Sequence, residues 1–371
     1  MARPKGVGLE YAVIAQRYRA PARPVERPLT WSEAGFALNE GPCPPGAQSL
    51  RSRRQPLNAG LTQGVAAADA PSAVDTALNI VDAHQHFWDP ELNYYPWLCD
   101  EPPIAFRYGD YRSIRRRYLP PDYRADAAPY HVEKSVYVEA EWNPADPVGE
   151  MRYIDTLRRE YGLPSVAVAQ AWLDAGNVAA VLEQLAAFSF VRSVRHKPRA
   201  NRSAVDGAPG GMTDASWREG YARLARPGLR FDLQTPWWHL PEAARLAADF
   251  PHTQIIVNHT GLPSDRSPEG IVHWKGAMTA LAACPNVAVK VSGLGEAGRP
   301  WTIEANRDIV RTVIDLFGPE RCMFASNFPV DSLCASFTTI FAGFREIVRD
   351  LSFAEQRALF RDNAVRIYAM E

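Results

Sequence analysis

The chain has 371 residues, 46% apolar and 22% charged, and 41 Lys and Arg against 42 Asp and Glu leave a net charge of −1. That balance suits a globular protein with a sizeable core and gives no electrostatic reason to expect nucleic acid or an anionic membrane as partner. No stretch approaches the roughly 20 apolar residues of a membrane span. The five cysteines, Cys43, Cys99, Cys284, Cys322 and Cys334, are scattered without CxxC spacing. Neither a disulfide framework nor a thiolate zinc site is therefore expected, and reduced thiols in a cytoplasmic protein are the simplest reading.

Residues 1–77 stand apart. "YRAPARPVERP" and "GPCPPGAQSLRSRRQP" are rich in Pro, Ala and Arg and have no helical or strand period. Such a segment buries too little apolar surface to offset its ordering entropy, so a disordered extension is expected. "YAVIAQRYRA" is too short and too soon interrupted by arginine for a signal peptide, and Glu10, Glu26, Glu33 and Glu40 oppose a transit peptide.

From residue 78 to residue 371 short Val/Ile/Ala runs alternate with amphipathic stretches. "NIVDAHQH" is predicted as a first strand, and "KSVYVEAE" (134–141) as a second, before the helical "VGEMRYIDTLRREYG". Strands are predicted at 165–173, 190–196, 229–235 and 253–259, each followed by a helix-like segment. "NVAVKVSG" (286–293) and "RCMFASNFP" (321–329) complete the set, and "SFAEQRALFRDNAVRIYAM" closes the chain as a helix. Eight strand–helix units over about 290 residues predict an α/β fold, a single (β/α)8 TIM barrel after the disordered tail. An open doubly wound sheet is the rival, but no GxGxxG or P-loop turn follows any strand.

A TIM barrel carries its active site at the C-terminal strand ends. The first strand ends in His84 and His86, which strand alternation would turn to one side. The second ends in Glu139 and Glu141, and the fourth in Arg195, His196 and Lys197. The fifth carries Asp232 and Gln234, with Trp237, Trp238 and His239 just beyond. The sixth ends in Asn258 and His259, and the eighth in Ser326 and Asn327, with Asp331 a little further on. His84, His86 and His259 are candidates for metal binding or catalysis, and "RHKPR" for an anion-binding loop. Trp238 and His239 are candidates for a pocket wall. His131, His252 and His273 fall at structural or surface positions. The aromatic loop "FWDPELNYYPWLCDEPP" reads as a lid over a small-molecule pocket.

"VDAHQHFWDP", "VYVEAEW", "VRH", "FDLQ", "HTGLP", "NVAVKVSGLG", "RCMFASNFPVD" and "NAVRIY" occur in that order. Together they resemble the amidohydrolase-related (amidohydrolase 2) family, in particular its branch of sugar-acid lactonases and 2-pyrone-4,6-dicarboxylate lactonase. The resemblance runs from about residue 79 to the C-terminus. It implies a hydrolase of esters, lactones or amides, with some relatives decarboxylating aromatic acids. In metal-dependent members a first-strand HxH, a further His and an eighth-strand Asp hold a divalent ion. His84, His86 and His259 match the histidines, and zinc is the ion they would take. The eighth-strand position is Asn327, and a carboxamide serves neither as a base nor as an anionic ligand. Metal-free action is therefore the favoured expectation.

The base must then come from elsewhere: Glu139 first, with Glu141, Asp232 and Asp331 as other carboxylates and His259 or His196 as imidazoles. Asp331, beyond a Pro, is expected to point away from the site. The leading expectation is a hydrolase that opens a small carboxylate-bearing lactone or ester, with Arg195 and Lys197 holding the carboxylate. The alternatives are a metal-dependent decarboxylase of an aromatic acid and a non-catalytic barrel that binds a small molecule. The expected partner is the small-molecule substrate, with no nucleic acid and no membrane. A homo-oligomer is compatible with this reading.

Overall fold

The structure, a computed structural model, describes residues 78–371, and the extension expected at 1–77 lies outside the described residues. Eight strands alternate with eight helices. The strands are β1 (Ile80–Gln85), β2 (Val132–Val138), β3 (Val166–Gln170), β4 (Val191–Arg195), β5 (Arg230–Leu233), β6 (Ile255–Val257), β7 (Val287–Val291) and β8 (Cys322–Phe324). The helices that follow them are α1 (Pro120–Asp126), α2 (Gly149–Tyr161), α3 (Val178–Ala186), α4 (Ala215–Ala222), α5 (Leu240–Asp249), α6 (Pro268–Ala282), α7 (Ile303–Phe317) and α8 (Phe337–Ile347). The strands lie in sequence order and every neighbouring pair is parallel. This is the expected TIM barrel. All eight predicted strands form, each shorter than its apolar run because the ladder stops where the chain bends into its loop.

The strands alternate two apolar faces. Ile255, Val257, Val287, Val289 and Val291 join the large core shared with the helices. Val81, Val136, Val138, Val168, Ile256, Ala288 and Met323 form a separate cluster inside the barrel, completed by Ile367 and Tyr368 from the C-terminal helical segment. Strands covered on both faces read as continuous apolar runs, which is why they were visible in the sequence. Several helices start on hydroxyl caps: Ser267, Thr302 and Ser336 accept from the amides of Gly270, Ala305 and Thr339.

The barrel closes between β8 and β1. The Asn327 amide donates to the His84 carbonyl at 2.8 Å, and the His86 amide to the Phe328 carbonyl at 2.8 Å. Beneath this seam the buried Asp82 carboxylate accepts from the Ser326 amide at 2.9 Å, the Ser326 hydroxyl at 2.6 Å and the Tyr123 hydroxyl at 2.8 Å. No helix among the described residues is long and apolar enough to cross a membrane. Cys284, Cys322 and Cys334 are free thiols.

Candidate active site

The seam that closes the barrel also assembles the site. The β1–β2 register shifts between Asp82 and Gln85, so simple alternation fails there, yet both imidazoles still converge. His84 Nε2 lies 3.2 Å from His86 Nε2. His86 Nδ1 lies 2.7 Å from the Val138 carbonyl, which can only accept, so Nδ1 carries the proton and Nε2 presents a lone pair.

Asn327 faces that lone pair. Its Nδ2 donates to Asp331 Oδ1 at 2.6 Å, which turns its Oδ1 toward His86 Nε2 at 3.3 Å. Two acceptors thus oppose each other, with His84 Nε2 beside them, and a group resting above the pair satisfies both by bringing hydrogens or positive charge. Asp331 was expected to point away from the site. Instead the turn after Asn327 folds back, with the Asp331 amide on the Asn327 carbonyl at 3.0 Å, and its carboxylate lies buried behind the amide. The Tyr108 hydroxyl donates to the same carboxylate at 2.9 Å. Burial raises the Asp331 carboxyl to about 6, against the opposing pull of Arg107.

All three site imidazoles are held neutral. Burial and then Lys290 drive His84 well below its ordinary value. Burial and then Arg195 bring His86 to about 3, and burial and then Arg107 depress His259. His259 Nδ1 lies 3.0 Å from Ser292 Oγ, and the ring packs against His84 with centroids 4.6 Å apart.

The charged residues at the strand ends are mostly paired. The Arg195 guanidinium bonds Glu139 Oε1, reaches the Glu139 carbonyl at 2.7 Å and Gln234 Oε1 at 3.0 Å. Burial alone would raise the Glu139 carboxyl, but Arg195, Lys197 and the Glu141 amide outweigh it and hold it below the usual range. Lys197 bonds Glu141. Asp232 lies within the barrel, 2.7 Å from Lys290 Nζ and bonded by Ser193, Asn258 and Tyr368.

A cavity opens above this floor. His86, Glu139, Arg195, Lys197, His259 and Asn327 all border it, while His84 lies just beneath. His196, Trp238 and His239 do not border it. His196 turns toward the helices, where its Nδ1 accepts from the Leu173 amide at 3.1 Å and Trp217 Nε1 at 3.0 Å. Trp238 Nε1 and His239 Nε2 both meet Asn201 Oδ1, at 2.7 and 2.6 Å, and secure the loop after β4. Their expected placement in the pocket is thereby corrected. Sequence reasoning missed Arg107, which borders the cavity from the long loop between β1 and α1. The stretch 87–103 of that loop, expected as a lid, contributes Trp88 and Trp97 to the wall, and Phe106 follows just beyond it.

The donors near the seam are the His84 and His86 imidazoles and the Asn327 carboxamide oxygen, with His259 packed on His84; all are uncharged, no carboxylate takes the place that Asn327 occupies, and no group of three or more His, Cys, Asp or Glu suited to a metal occurs among the described residues. The cations Lys290, Arg195 and Arg107, which disfavour a proton on these imidazoles, disfavour a divalent cation for the same electrostatic reason.

Residues 81–370 match the sequence pattern described as Amidohydrolase. The uncharacterized protein y4mH of Sinorhizobium fredii is 40% identical over 296 residues, covering 78% of this chain and 98% of that protein. An L-fucono-1,5-lactonase of Burkholderia multivorans is 26% identical over 306 residues, covering 78% and 96%. The crystal structure of a zinc-bound amidohydrolase from Burkholderia multivorans superposes with a TM-score of 0.66 at 25% identity, covering 79% of this chain and 99% of that one.

Proposed function

The chain belongs to the amidohydrolase family and is a hydrolase, and from that premise we propose that it opens a small carboxylate-bearing lactone or ester with water held at the β1–β8 seam. The observation that carries this reading is the pair of opposed acceptors, His86 Nε2 and Asn327 Oδ1, 3.3 Å apart on the floor of the cavity. A water there donates one hydrogen to each and aims its own lone pair at a carbonyl above. The lactonases among the relatives support the reaction class.

In this scheme His86 Nε2 takes the water proton as the C–O bond forms. The low resting pKa of His86 reflects burial and Arg195 acting on a lone imidazolium. An oxyanion forming beside it reverses that penalty. His259 polarises the carbonyl: with the Ser292 hydroxyl donating to Nδ1, its Nε2 carries the hydrogen. The tetrahedral adduct then expels the ring oxygen, which takes the proton from His86, and a hydroxy acid leaves. Glu139, the first choice from sequence, orients Arg195 in this scheme and is not the base. Arg107 and Lys197, both on the cavity wall, hold the substrate carboxylate.

The test is a panel of lactones and carboxylate esters followed by proton release, comparing wild type with His86→Ala and His84→Ala. Wild type should turn over at least one class, and His86→Ala should lose about 10²- to 10⁴-fold in kcat. Equal rates would remove His86 from the mechanism. Binding without turnover across the panel would favour the non-catalytic barrel. A stoichiometric, tightly held metal together with CO2 release from an aromatic acid would favour the decarboxylase.

A further inference from the structure

We propose that the substrate carries an aromatic or similarly flat apolar ring next to the scissile carbonyl, and is not a polyhydroxylated sugar lactone. The inference rests on the hydrolase reading above and concerns what the same cavity selects.

The cavity wall is built from Trp88, Trp97, Phe106, Trp142 and Trp172. Trp97 and Phe106 stack nearly parallel, 14° apart with centroids separated by 5.8 Å, and Trp88 meets Trp97 edge-on at 5.3 Å. Rings braced against one another in this way have few rotamers left to lose when a ligand arrives.

The polar edges of two of these indoles are already occupied. Trp88 Nε1 donates to the Arg116 carbonyl at 2.8 Å, and Trp97 Nε1 to the Ala140 carbonyl at 2.9 Å. Those two rings therefore offer the cavity carbon and π surface, not a donor. Gln170 Oε1 and Trp172 Nε1 have no hydrogen-bond partner among the described residues, but both atoms are themselves buried.

Polar groups do border the cavity, but the hydrolase reading commits His86, Asn327 and His259 to the reacting centre and Arg107 and Lys197 to the carboxylate, and most of the others pair among themselves. Arg195 holds Glu139 and Gln234, Lys197 holds Glu141, and Asn327 Nδ2 holds Asp331. A sugar lactone brings several hydroxyl groups, each of which must exchange its water for a protein partner or forfeit that bond. Aromatic walls can stack on the face of a sugar, but specificity for one needs donors and acceptors around the ring edge. The rest of the wall here is largely tryptophan, phenylalanine, proline and aliphatic side chains. A flat apolar ring asks for no such partners and gains from stacking between aromatic faces.

The experiment compares phthalide, an aryl lactone whose benzene ring bears the lactone carbonyl and whose leaving group is an alkoxide, with L-fucono-1,5-lactone on the full chain. It also compares binding of their ring-opened acids by calorimetry. The expected result is kcat/KM at least tenfold higher for the aryl lactone and tighter binding of the aryl acid. An equal or faster rate for the sugar lactone, or equal or tighter binding of the sugar acid, overturns the proposal. So does binding of neither acid at millimolar concentration. If neither lactone opens, binding decides: preference for the aryl acid upholds the ring selectivity while the hydrolytic reading falls. Phe106→Ser, at a half-buried position on the cavity wall, should weaken aryl binding about tenfold and leave the melting transition in place. Unchanged aryl binding in a folded Phe106→Ser protein also counts against the proposal.

Discussion

Asn327 donates its amide hydrogen to Asp331 at 2.6 Å, and that bond decides which atom of Asn327 faces His86. The carboxylate thus acts on the site through the amide without touching the cavity itself. Asp331→Asn keeps an acceptor oxygen at the same place and should retain most activity. Asp331→Leu removes it and frees the amide to flip. We expect kcat of the leucine variant to fall roughly 10- to 100-fold, the range seen when an orienting partner is lost, with KM little changed. Steady-state kinetics of the two variants check this, and equal rates in both would show that the amide orientation does not matter.

The same position should control metal affinity. Asn327→Asp would set a carboxylate among His84, His86 and Asp331 and add the anionic donor that the wild-type seam lacks. After loading with zinc and exhaustive dialysis, wild type should retain well under one equivalent and the variant about one. Elemental analysis reads the outcome directly. Stoichiometric zinc in dialysed wild type would overturn the argument from uncharged donors.

The strands were legible because most are short, largely apolar runs buried on both faces between amphipathic helices. Their C-terminal ends then pointed to the floor of the cavity. Neighbouring residues at one strand end were harder to separate. Arg195 turns toward Glu139 while His196 turns toward Trp217, and one step along a strand reverses the face. Asp331 was misread because a Pro between it and Asn327 suggested a departing chain. Asn327 instead adopts a left-handed backbone, with φ of 55°, and the turn returns. Arg107 lies in a long loop with no period to place it, so only the folded chain brings it beside His259.

Glu150, on α2, gives a pH signature independent of catalysis. Its Oε1 accepts from the Tyr137 hydroxyl at 2.8 Å and the Ala140 amide at 2.7 Å, while Oε2 has no partner among the described residues. Burial, followed by the nearby Glu139 carboxylate, raises its carboxyl to about 8. The folded chain therefore holds a proton that the unfolded chain releases near pH 4.3. This contribution is complete below that pH and is lost as pH rises toward 8, at about 1.4 kcal/mol per unit. Glu150→Gln cannot titrate and keeps the Oε1 acceptor. The melting temperature of the variant relative to wild type should rise steadily from pH 5 to pH 8. A constant difference would show that Glu150 is ionised throughout.

The buried pair beneath the site should respond asymmetrically to mutation. Lys290 lies 2.7 Å from Asp232, and burial lowers its pKa to about 8 despite that carboxylate. Lys290→Met strands the carboxylate among Ser193, Asn258 and Tyr368 and should cost about 3–5 kcal/mol. Asp232→Asn leaves a lysine that can escape by losing its proton. In that variant the unfolded chain binds the proton and the folded chain does not, so its stability should climb with pH at about 1.4 kcal/mol per unit. Wild type shows that slope only above its lysine pKa of about 8. Between pH 6 and pH 9 the stability gap between Asp232→Asn and wild type should therefore narrow by about 3 kcal/mol, and the gap for Lys290→Met should not. Urea unfolding at the two pH values measures both. A gap for Asp232→Asn that stays fixed would mean that Lys290 keeps its charge in the barrel without its partner.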